Sequence, residues 1–261
     1  MILDALMLAG GVPIAEDPLH LYTLGRPKSM VEVAGKPMIQ WVLDALGGSK
    51  IVGKVVISGL GPEARLGCAK EIHYLGDQGG LLENVKVGLA YMRRLRPGAT
   101  HALILSSDIP TITPEMVEWR AELALRARAD VDYAVVERSV MEARFPASKR
   151  TYIKLRDAEV CGADFNALRI DLPVNEGFWR KAIAARKSPL KQAALLGYDT
   201  LFLIATRRIT LARAESLVSK RLGLNGKLHI SPYAEIAMDV DKPHQLEILR
   251  QDLARRGSPL Q

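Results

Sequence analysis

The sequence contains few cysteines and few aromatic residues, and it has no long apolar run. Only two Cys (Cys68 and Cys161) and four Phe occur among its 261 residues. Two thiols are too few for a disulfide framework or a zinc cluster, so we expect both to be reduced. No stretch approaches the roughly 18 uninterrupted apolar residues of a membrane-spanning helix, and the N-terminus lacks the basic region of a signal peptide. We therefore expect a cytoplasmic protein with no stable membrane insertion.

Two motifs that would identify other protein classes are also missing. The dinucleotide fingerprint GxGxxG does not occur, which argues against a conventional nicotinamide dehydrogenase. No segment combines basic and aromatic residues as RNA-binding motifs do, so we expect no nucleic-acid partner. The remaining composition, with 48% hydrophobic and 25% charged residues, is that of an ordinary globular protein.

The positive charge is concentrated in one third of the chain. The formal net charge is +7, but residues 138–220 hold 16 Lys/Arg and 8 Asp/Glu, while the remainder holds 20 and 21. A local excess of this kind indicates an anionic partner. Nucleic acid, an acidic membrane surface and a phosphorylated small molecule are all anionic, and the absence of RNA-binding motifs favours the small molecule.

Apolar runs of strand length alternate with segments of helical periodicity. The pattern predicts strands over 1–9, 54–58, 71–75, 101–106, 131–136, within 149–156 and over 235–241. It predicts helices that start at 37 and 114, and others over 81–92, 174–186, 211–222 and 243–255. The alternation predicts an α/β fold in three layers, α/β/α, around a mostly parallel but mixed sheet. Ligands of such sheets bind beyond the carboxyl ends of the strands.

The loop after the first strand combines glycines with positive charge. The segment 8–11 (LAGG) ends the strand, and its Gly pair lets backbone N–H groups approach a phosphate closely; an ordinary tight turn is the alternative. Segments 27–30 (PKSM) and 33–39 (VAGKPMI) follow. Together the three segments resemble the MobA-like NTP transferases, which are nucleotidyltransferases with a GT-A-like fold. We therefore expect that fold here.

The resemblance implies a nucleotide site. Lys28 would contact the triphosphate and stabilise charge that develops at the α-phosphorus, which suits a compact ammonium group. The catalytic residues implied are Lys28 and Asp108, and the nucleotide-binding residues are Leu8, Ala9, Gly10, Gly11, Arg26, Lys28, Gly79, Gly80, Asn84 and Ser107. This sequence departs from the family in one respect, because relatives carry an Arg where Leu21 stands. Arg26 is the candidate to replace it.

Two acidic segments contain candidate metal ligands. Asp108 follows the central strand 101–106, where a carboxylate points into the crevice in which phosphates would lie. If 235–241 is a strand, Asp239 and Asp241 face the same side and converge. In each case the structural alternative is a cap of the next turn or helix. The resemblance implies that Mg²⁺ (or Mn²⁺) is held by Asp108 together with Asp241 or Asp239.

The basic stretch is the predicted acceptor side. The acceptor-binding residues expected there are Arg144, Lys149, Arg150, Lys154 and Lys187. We expect one nucleotidyltransferase domain over 1–261, made of a nucleotide-binding half (1–137), a basic acceptor-side insert (138–230), and a return strand with a C-terminal helix (231–261).

The residues and the resemblance predict one reaction. A nucleotidyl group would pass from an NTP to an anionic phosphorylated small molecule, with Mg²⁺ and with release of pyrophosphate. Two alternatives stay open. One is a GT-A-type glycosyltransferase that uses a nucleotide sugar, with residues 239–241 (DVD) as its metal motif. The other is a non-enzymatic basic protein that binds nucleotides or RNA. A homo-oligomer is compatible with either.

Overall fold

The computed structural model describes residues 2–172, 202–203 and 206–257. Its strands are β1 (Leu3–Leu8), β2 (Glu32–Val33), β3 (Lys36–Pro37), β4 (Val52–Ser58), β5 (Ile72–Leu75), β6 (His101–Ser106), β7 (Val131–Glu137), β8 (Ile153–Lys154), β9 (Glu159–Gly162), β10 (Phe165–Arg169) and β11 (Gly226–Ser231). Its helices are α1 (His20–Thr23), α2 (Met38–Gly48), α3 (Leu81–Leu95), α4 (Pro114–Ala127), α5 (Arg138–Arg144), α6 (Leu211–Leu222) and α7 (Pro243–Gly257).

Nine strands form one mixed sheet in the described part of the chain. Their order is β5-β4-β1-β6-β10-β7-β9-β8, and β11 pairs with β7. The first four are parallel to one another, whereas β10 runs antiparallel to both β6 and β7. The predicted α/β class around a mostly parallel but mixed sheet is confirmed as an α/β fold with a mixed sheet, in which four of the described strand pairs are parallel and four are antiparallel.

Helices cover both faces of this sheet, because alternate residues of a strand point to opposite sides. Met7 and Leu105 belong to a core cluster that α2, α4 and α7 share. Their neighbours Leu6 and Ile104 face the other way and pack with α3. Burying both faces removes the water-exposed side that an antiparallel sheet would keep, which explains why β1 and β6 are continuous apolar runs.

The carboxyl ends of three central strands lie level with one another. Leu8 at the end of β1 is opposite Ser58 of β4 and opposite Ser106 of β6. The loops that follow these strands therefore begin side by side. This register brings residues from three distant parts of the sequence to one edge of the sheet.

The predicted strand over 235–241 is wrong. Residues Ala234–Ala237 form a 3₁₀ turn, and the strand of this region is β11, which lies earlier in the chain. The backbone pairs singly with loops: Asp164 N–H donates to Ile236 O (2.9 Å), and Val240 N–H donates to Asp108 O (3.2 Å). The apolar pattern reflects a buried turn, because every residue from 234 to 240 is buried.

Other boundaries shift by a few residues. Within 149–156 only β8 is strand, and the helix predicted over 81–92 continues to Leu95. The helix predicted over 174–186 lies outside the described residues. No helix among those described has the length and apolar character needed to cross a membrane.

Candidate active site

The loops after β1 and β4 pack directly against each other. Ala9 N–H donates to Ser58 O at 2.8 Å, and the next residue on the second loop, Gly59, has φ of +108°. A Cβ on Gly59 would lie 2.1 Å from the backbone N of Gly10. Only glycine fits there, since any side chain would both strain the backbone and push the β1 loop away. The loop predicted to bind phosphate is thus held in place by its neighbour.

A short 3₁₀ turn attaches Lys28 to the same loop. Lys28 N–H donates to Gly11 O at 3.3 Å, and Ser29 Oγ donates to Ala9 O at 3.2 Å. The buried Ser29 hydroxyl therefore provides a hydrogen-bond donor for the Ala9 carbonyl, just beyond the end of β1. Lys28 therefore starts from a fixed point beside the glycines.

The Lys28 ammonium lies between two carboxylates. Its Nζ is 2.6 Å from Asp108 Oδ2 and 2.9 Å from Asp241 Oδ1. Burial lowers the pKa of Lys28, but the charges and hydrogen bonds of Asp108 and Asp241 outweigh it and raise the pKa above its usual range. The group is therefore a permanent cation at neutral pH.

Asp108 is held by contacts on both sides. Ser106 Oγ donates to its Oδ1 at 2.5 Å, and Ser107 N–H donates to Leu8 O at 3.1 Å. Because Val240 N–H bonds to the Asp108 carbonyl (3.2 Å), the turn before α7 is drawn to the end of β6. The structure thus brings the two acidic segments together, although no strand produces this arrangement.

Three carboxylates meet at this point. Ligand oxygens of Asp108, Asp239 and Asp241 all lie within 4.8 Å of one another. The first two residues are buried and Asp241 is exposed. Hard oxygen donors suit Mg²⁺ or Mn²⁺, and one or two of these carboxylates together with phosphate oxygens are enough to hold such an ion. The donor set therefore fits a divalent cation.

Arg150 reaches this cluster from the loop before β8. Its Nη1 forms an ion pair with Asp239 Oδ1, and its Nη2 lies 3.5 Å from Gly162 O. The Arg150 side chain is 15% exposed. Of the residues predicted on the acceptor side, this one lies directly against the acidic group.

The sequence matches a family model for the MobA-like NTP transferase domain over residues 22–202. The chain belongs to this family. The predicted resemblance and the predicted enzyme class, a nucleotidyltransferase, are both confirmed. Of the alternatives, neither a glycosyltransferase nor a non-enzymatic binding protein agrees with this membership.

Solved structures of transferases share the fold. A hypothetical transferase from Thermus thermophilus has a TM-score of 0.78 and 31% identity, over 94% of this chain and all 100% of its own. CMP:2-keto-3-deoxy-manno-octonic acid synthetase complexed with CTP has a TM-score of 0.58 and 16% identity, over 97% and 99%. Molybdopterin-guanine dinucleotide biosynthesis protein A from Archaeoglobus fulgidus has 0.51 and 13%, over 97% and 100%. Comparison with curated proteins gives no match.

In this MobA-like transferase Asn84 is occupied by internal hydrogen bonds. Its Oδ1 accepts from Ser58 Oγ (3.0 Å) and from Gln78 N–H (2.9 Å), and its Nδ2 donates to Asp77 Oδ1 (2.9 Å). Asn84 thus joins the ends of β4 and β5 to the start of α3. The structure gives it a positioning role, and its predicted contact with the nucleotide stays a prediction.

The glycine-rich loop between β5 and α3 contains a residue, Asp77, that the predicted site residues do not include. Gly79 has φ of +81°, and Asp77 Oδ1 accepts from its N–H at 3.2 Å. A Cβ on Gly10 would lie 3.2 Å from that same Asp77 Oδ1. Asp77 therefore fixes the distance between the two glycine loops. An Asp two residues before a Gly is the sequence signal for such a turn.

The remaining basic residues of the transferase lie in different surroundings. Arg144 pairs with Glu235 (2.8 Å) and Asp252 (2.7 Å), which accounts for it without an acceptor. Lys149 and Lys154 are exposed, and Lys187 lies outside the described residues. Arg26 is also exposed, and within residues 2–172, 202–203 and 206–257 its side chain forms no ion pair.

Asp164 is a further acidic group at the site that the predicted residues do not include. Burial raises the pKa of Asp164 to about 7, and the charge of Asp108 adds to the shift while that of Arg150 opposes it. Beside it, a Cβ on Gly162 would lie 2.3 Å from Tyr133 Oη. Burial first, and then the nearby Asp108 carboxylate, produce the Asp164 shift, so no local sequence signal marks it.

Proposed function

We propose that this enzyme transfers a nucleotidyl group from an NTP to an anionic, phosphorylated small molecule and releases pyrophosphate, with Mg²⁺ or Mn²⁺ as cofactor. The observation that carries the proposal is the position of Lys28. Its ammonium lies between Asp108 and Asp241 and starts from the glycine loop after β1. One site therefore combines backbone donors, a permanent cation and carboxylates for a divalent ion.

The chemistry requires positioning and charge neutralisation. An oxygen of the acceptor phosphate forms a bond to the α-phosphorus, and the bond between the α-phosphorus and the bridging oxygen to the β-phosphate breaks. The electron pair leaves with pyrophosphate. Because the acceptor oxygen is already anionic, no general base is needed. A cation held by Asp108 and Asp241 would neutralise phosphate charge when bound.

This chain's own groups would do the rest. The N–H groups of Gly10 and Gly11 would bind phosphate oxygens, since no Cβ hinders the approach. The Lys28 ammonium would stabilise the negative charge that develops on the phosphates in the transition state. Ser107, bonded to Leu8 through its backbone, keeps the β1 and β6 loops together.

The acceptor would approach from the side of Arg150. This guanidinium lies against the acidic group through Asp239, and the planar fork of an Arg suits a phosphate. Lys149 is exposed one residue earlier. The surplus of positive charge in residues 138–220 supports an acceptor with more than one negative charge.

Both cysteines are free thiols, which agrees with a reducing compartment, and we propose the cytoplasm.

The experiment has two stages. A thermal-shift screen of the four NTPs with Mg²⁺ selects the nucleotide, and pyrophosphate release is then measured against phosphorylated metabolites. The Lys28→Ala variant should lose pyrophosphate release and keep its fold by circular dichroism. Lys54→Ala is the matched control, because Lys54 pairs with Glu71 near the opposite end of the sheet. Full activity of Lys28→Ala would contradict the proposal.

A further inference from the structure

We propose that Lys28 occupies the place of the divalent cation between Asp108 and Asp241, so that the cation enters together with a triphosphate and Lys28 moves from the carboxylates to the phosphates. This inference rests on the proposed function and concerns the order in which its parts assemble. A divalent cation offered alone would then bind weakly, because it must displace a bound ammonium.

The distances indicate that the ammonium and a divalent cation would compete for the same oxygens. The ammonium is within 2.9 Å of oxygens on both Asp108 and Asp241. A Mg²⁺ ion lies about 2.1 Å from its oxygen ligands, so a cation that bridges the same two groups needs the space of the Lys28 Nζ. Two positive groups in contact with one pair of carboxylates would also repel each other strongly in a partly buried site.

The side chain of Lys28 is able to move without disturbing the fold. Its backbone N–H is bonded to Gly11 O, so the flexible four-carbon stem starts at the phosphate loop. The side chain is 21% exposed and faces the exposed Asp241. A triphosphate on the glycine loop would offer the ammonium new anionic partners near its anchor point.

The second cation of the site behaves differently. Arg150 pairs with Asp239 and also approaches Gly162 O (3.5 Å), so its planar guanidinium has two partners of its own. Asp239 therefore has the Arg150 guanidinium as its partner, whereas Asp108 and Asp241 share the Lys28 ammonium. This division assigns the cation to Asp108 and Asp241 and makes Asp239 a positioning residue for Arg150.

The test measures binding rather than turnover. Mn²⁺ alone is titrated into wild type, Lys28→Met and Lys54→Met, with free Mn²⁺ followed by electron paramagnetic resonance. The preformed complex of Mn²⁺ with inorganic tripolyphosphate is then titrated by calorimetry. Lys54→Met removes the same charge at a distance from the acidic cluster. Lys28→Gln is prepared as a second variant, and circular dichroism establishes that each protein is folded.

Exchange predicts opposite signs in the two titrations. Lys28→Met should bind Mn²⁺ alone about ten-fold more tightly than wild type, and should bind the tripolyphosphate complex about ten-fold more weakly. Equal Mn²⁺ affinities for wild type and Lys28→Met, or an equal gain in Lys54→Met, would overturn the inference. If Lys28→Met gains Mn²⁺ affinity but wild type does not bind the tripolyphosphate complex, the proposed nucleotide site is contradicted. The position of Lys28 in the place of the cation is then still supported.

Discussion

Two clusters of ion pairs lie on either side of the turn before α7, and they differ in charge balance. The site cluster consists of Asp108, Asp239, Asp241, Lys28 and Arg150. The C-terminal cluster consists of Arg144, Arg256, Glu235 and Asp252. The first has three carboxylates for two cations, and the second has two of each. An unbalanced cluster costs stability and indicates a ligand, while a balanced one fastens helices together.

The surroundings of the carboxylates follow the same division. Glu235 and Asp252 have side chains that are only 8% and 16% exposed, and each contacts both arginines. Asp241 is 51% exposed on its side chain although it faces the site. A carboxylate that serves only to hold α5 and α7 gains by being covered, whereas one that receives a cation from solvent must stay open.

The largest expected effect comes from a change in the site cluster. Asp108→Asn removes one carboxylate charge, and we expect the rate of pyrophosphate release to fall on the order of 10²–10³-fold. Stability should change little, because the relief of carboxylate repulsion offsets the loss of the ion pair between Asp108 and Lys28. The matched control is Asp252→Asn in the C-terminal cluster, which should keep the wild-type rate. An Asp108→Asn enzyme with full activity would remove the distinction between the clusters.

Breaking the C-terminal cluster should affect stability. Glu235→Gln leaves Arg144 with one partner instead of two, and we expect the free energy of unfolding to fall by about 1–3 kcal/mol. Urea denaturation followed by circular dichroism measures this change. An unaltered urea midpoint would show that these contacts contribute no net stability beyond the cost of desolvating the buried Glu235 carboxylate.

The burial of Asp164 beside the site cluster also predicts a pH dependence. The pKa of Asp164 rises from 3.8 to about 7 on folding, so the folded state binds more protons between those values. Stability of wild type should therefore fall as pH rises through this window, by at most about 4 kcal/mol. Asp164→Asn should lack that fall, as seen in melting temperatures at pH 5 and pH 8. If the exposed Asp171→Asn control shows the same change in slope, another group is responsible.

The smallest effect is expected at the edge of the balanced cluster. Arg256 is 34% exposed on its side chain and contacts Asp252 at 3.1 Å. Arg256→Ala should cost about 0.5 kcal/mol. The difference from wild type should shrink between 0.1 M and 1 M NaCl, since the screening length falls from about 10 Å to about 3 Å. A cost that does not change with salt would assign the effect to the hydrogen bond with Thr111 O (2.9 Å) instead.

Much of the fold follows from periodicity, and the errors have a common cause. Continuous apolar runs predicted β1 and β6, because strands covered on both faces have no polar side. The same reasoning failed at 235–241, where burial comes from loops packing on a turn. Asp239 and Asp241 still converge, but through the hydrogen bond of Val240 to Asp108. An apolar pattern in the sequence shows which residues are buried, but it does not show whether their backbone forms a strand or a turn.

Periodicity and local motifs in the sequence are enough for the class of fold and the glycine loop, and the resemblance to the MobA-like NTP transferases adds Lys28, Asp108, Asp239 and Asp241 as candidate site residues. How the charges pair follows only from the folded structure. It places Lys28 between Asp108 and Asp241, gives Asp239 to Arg150, and gives Arg144 to the C-terminal cluster. Ion pairing depends on distances of a few ångströms between residues far apart in the chain, and composition contains no record of them.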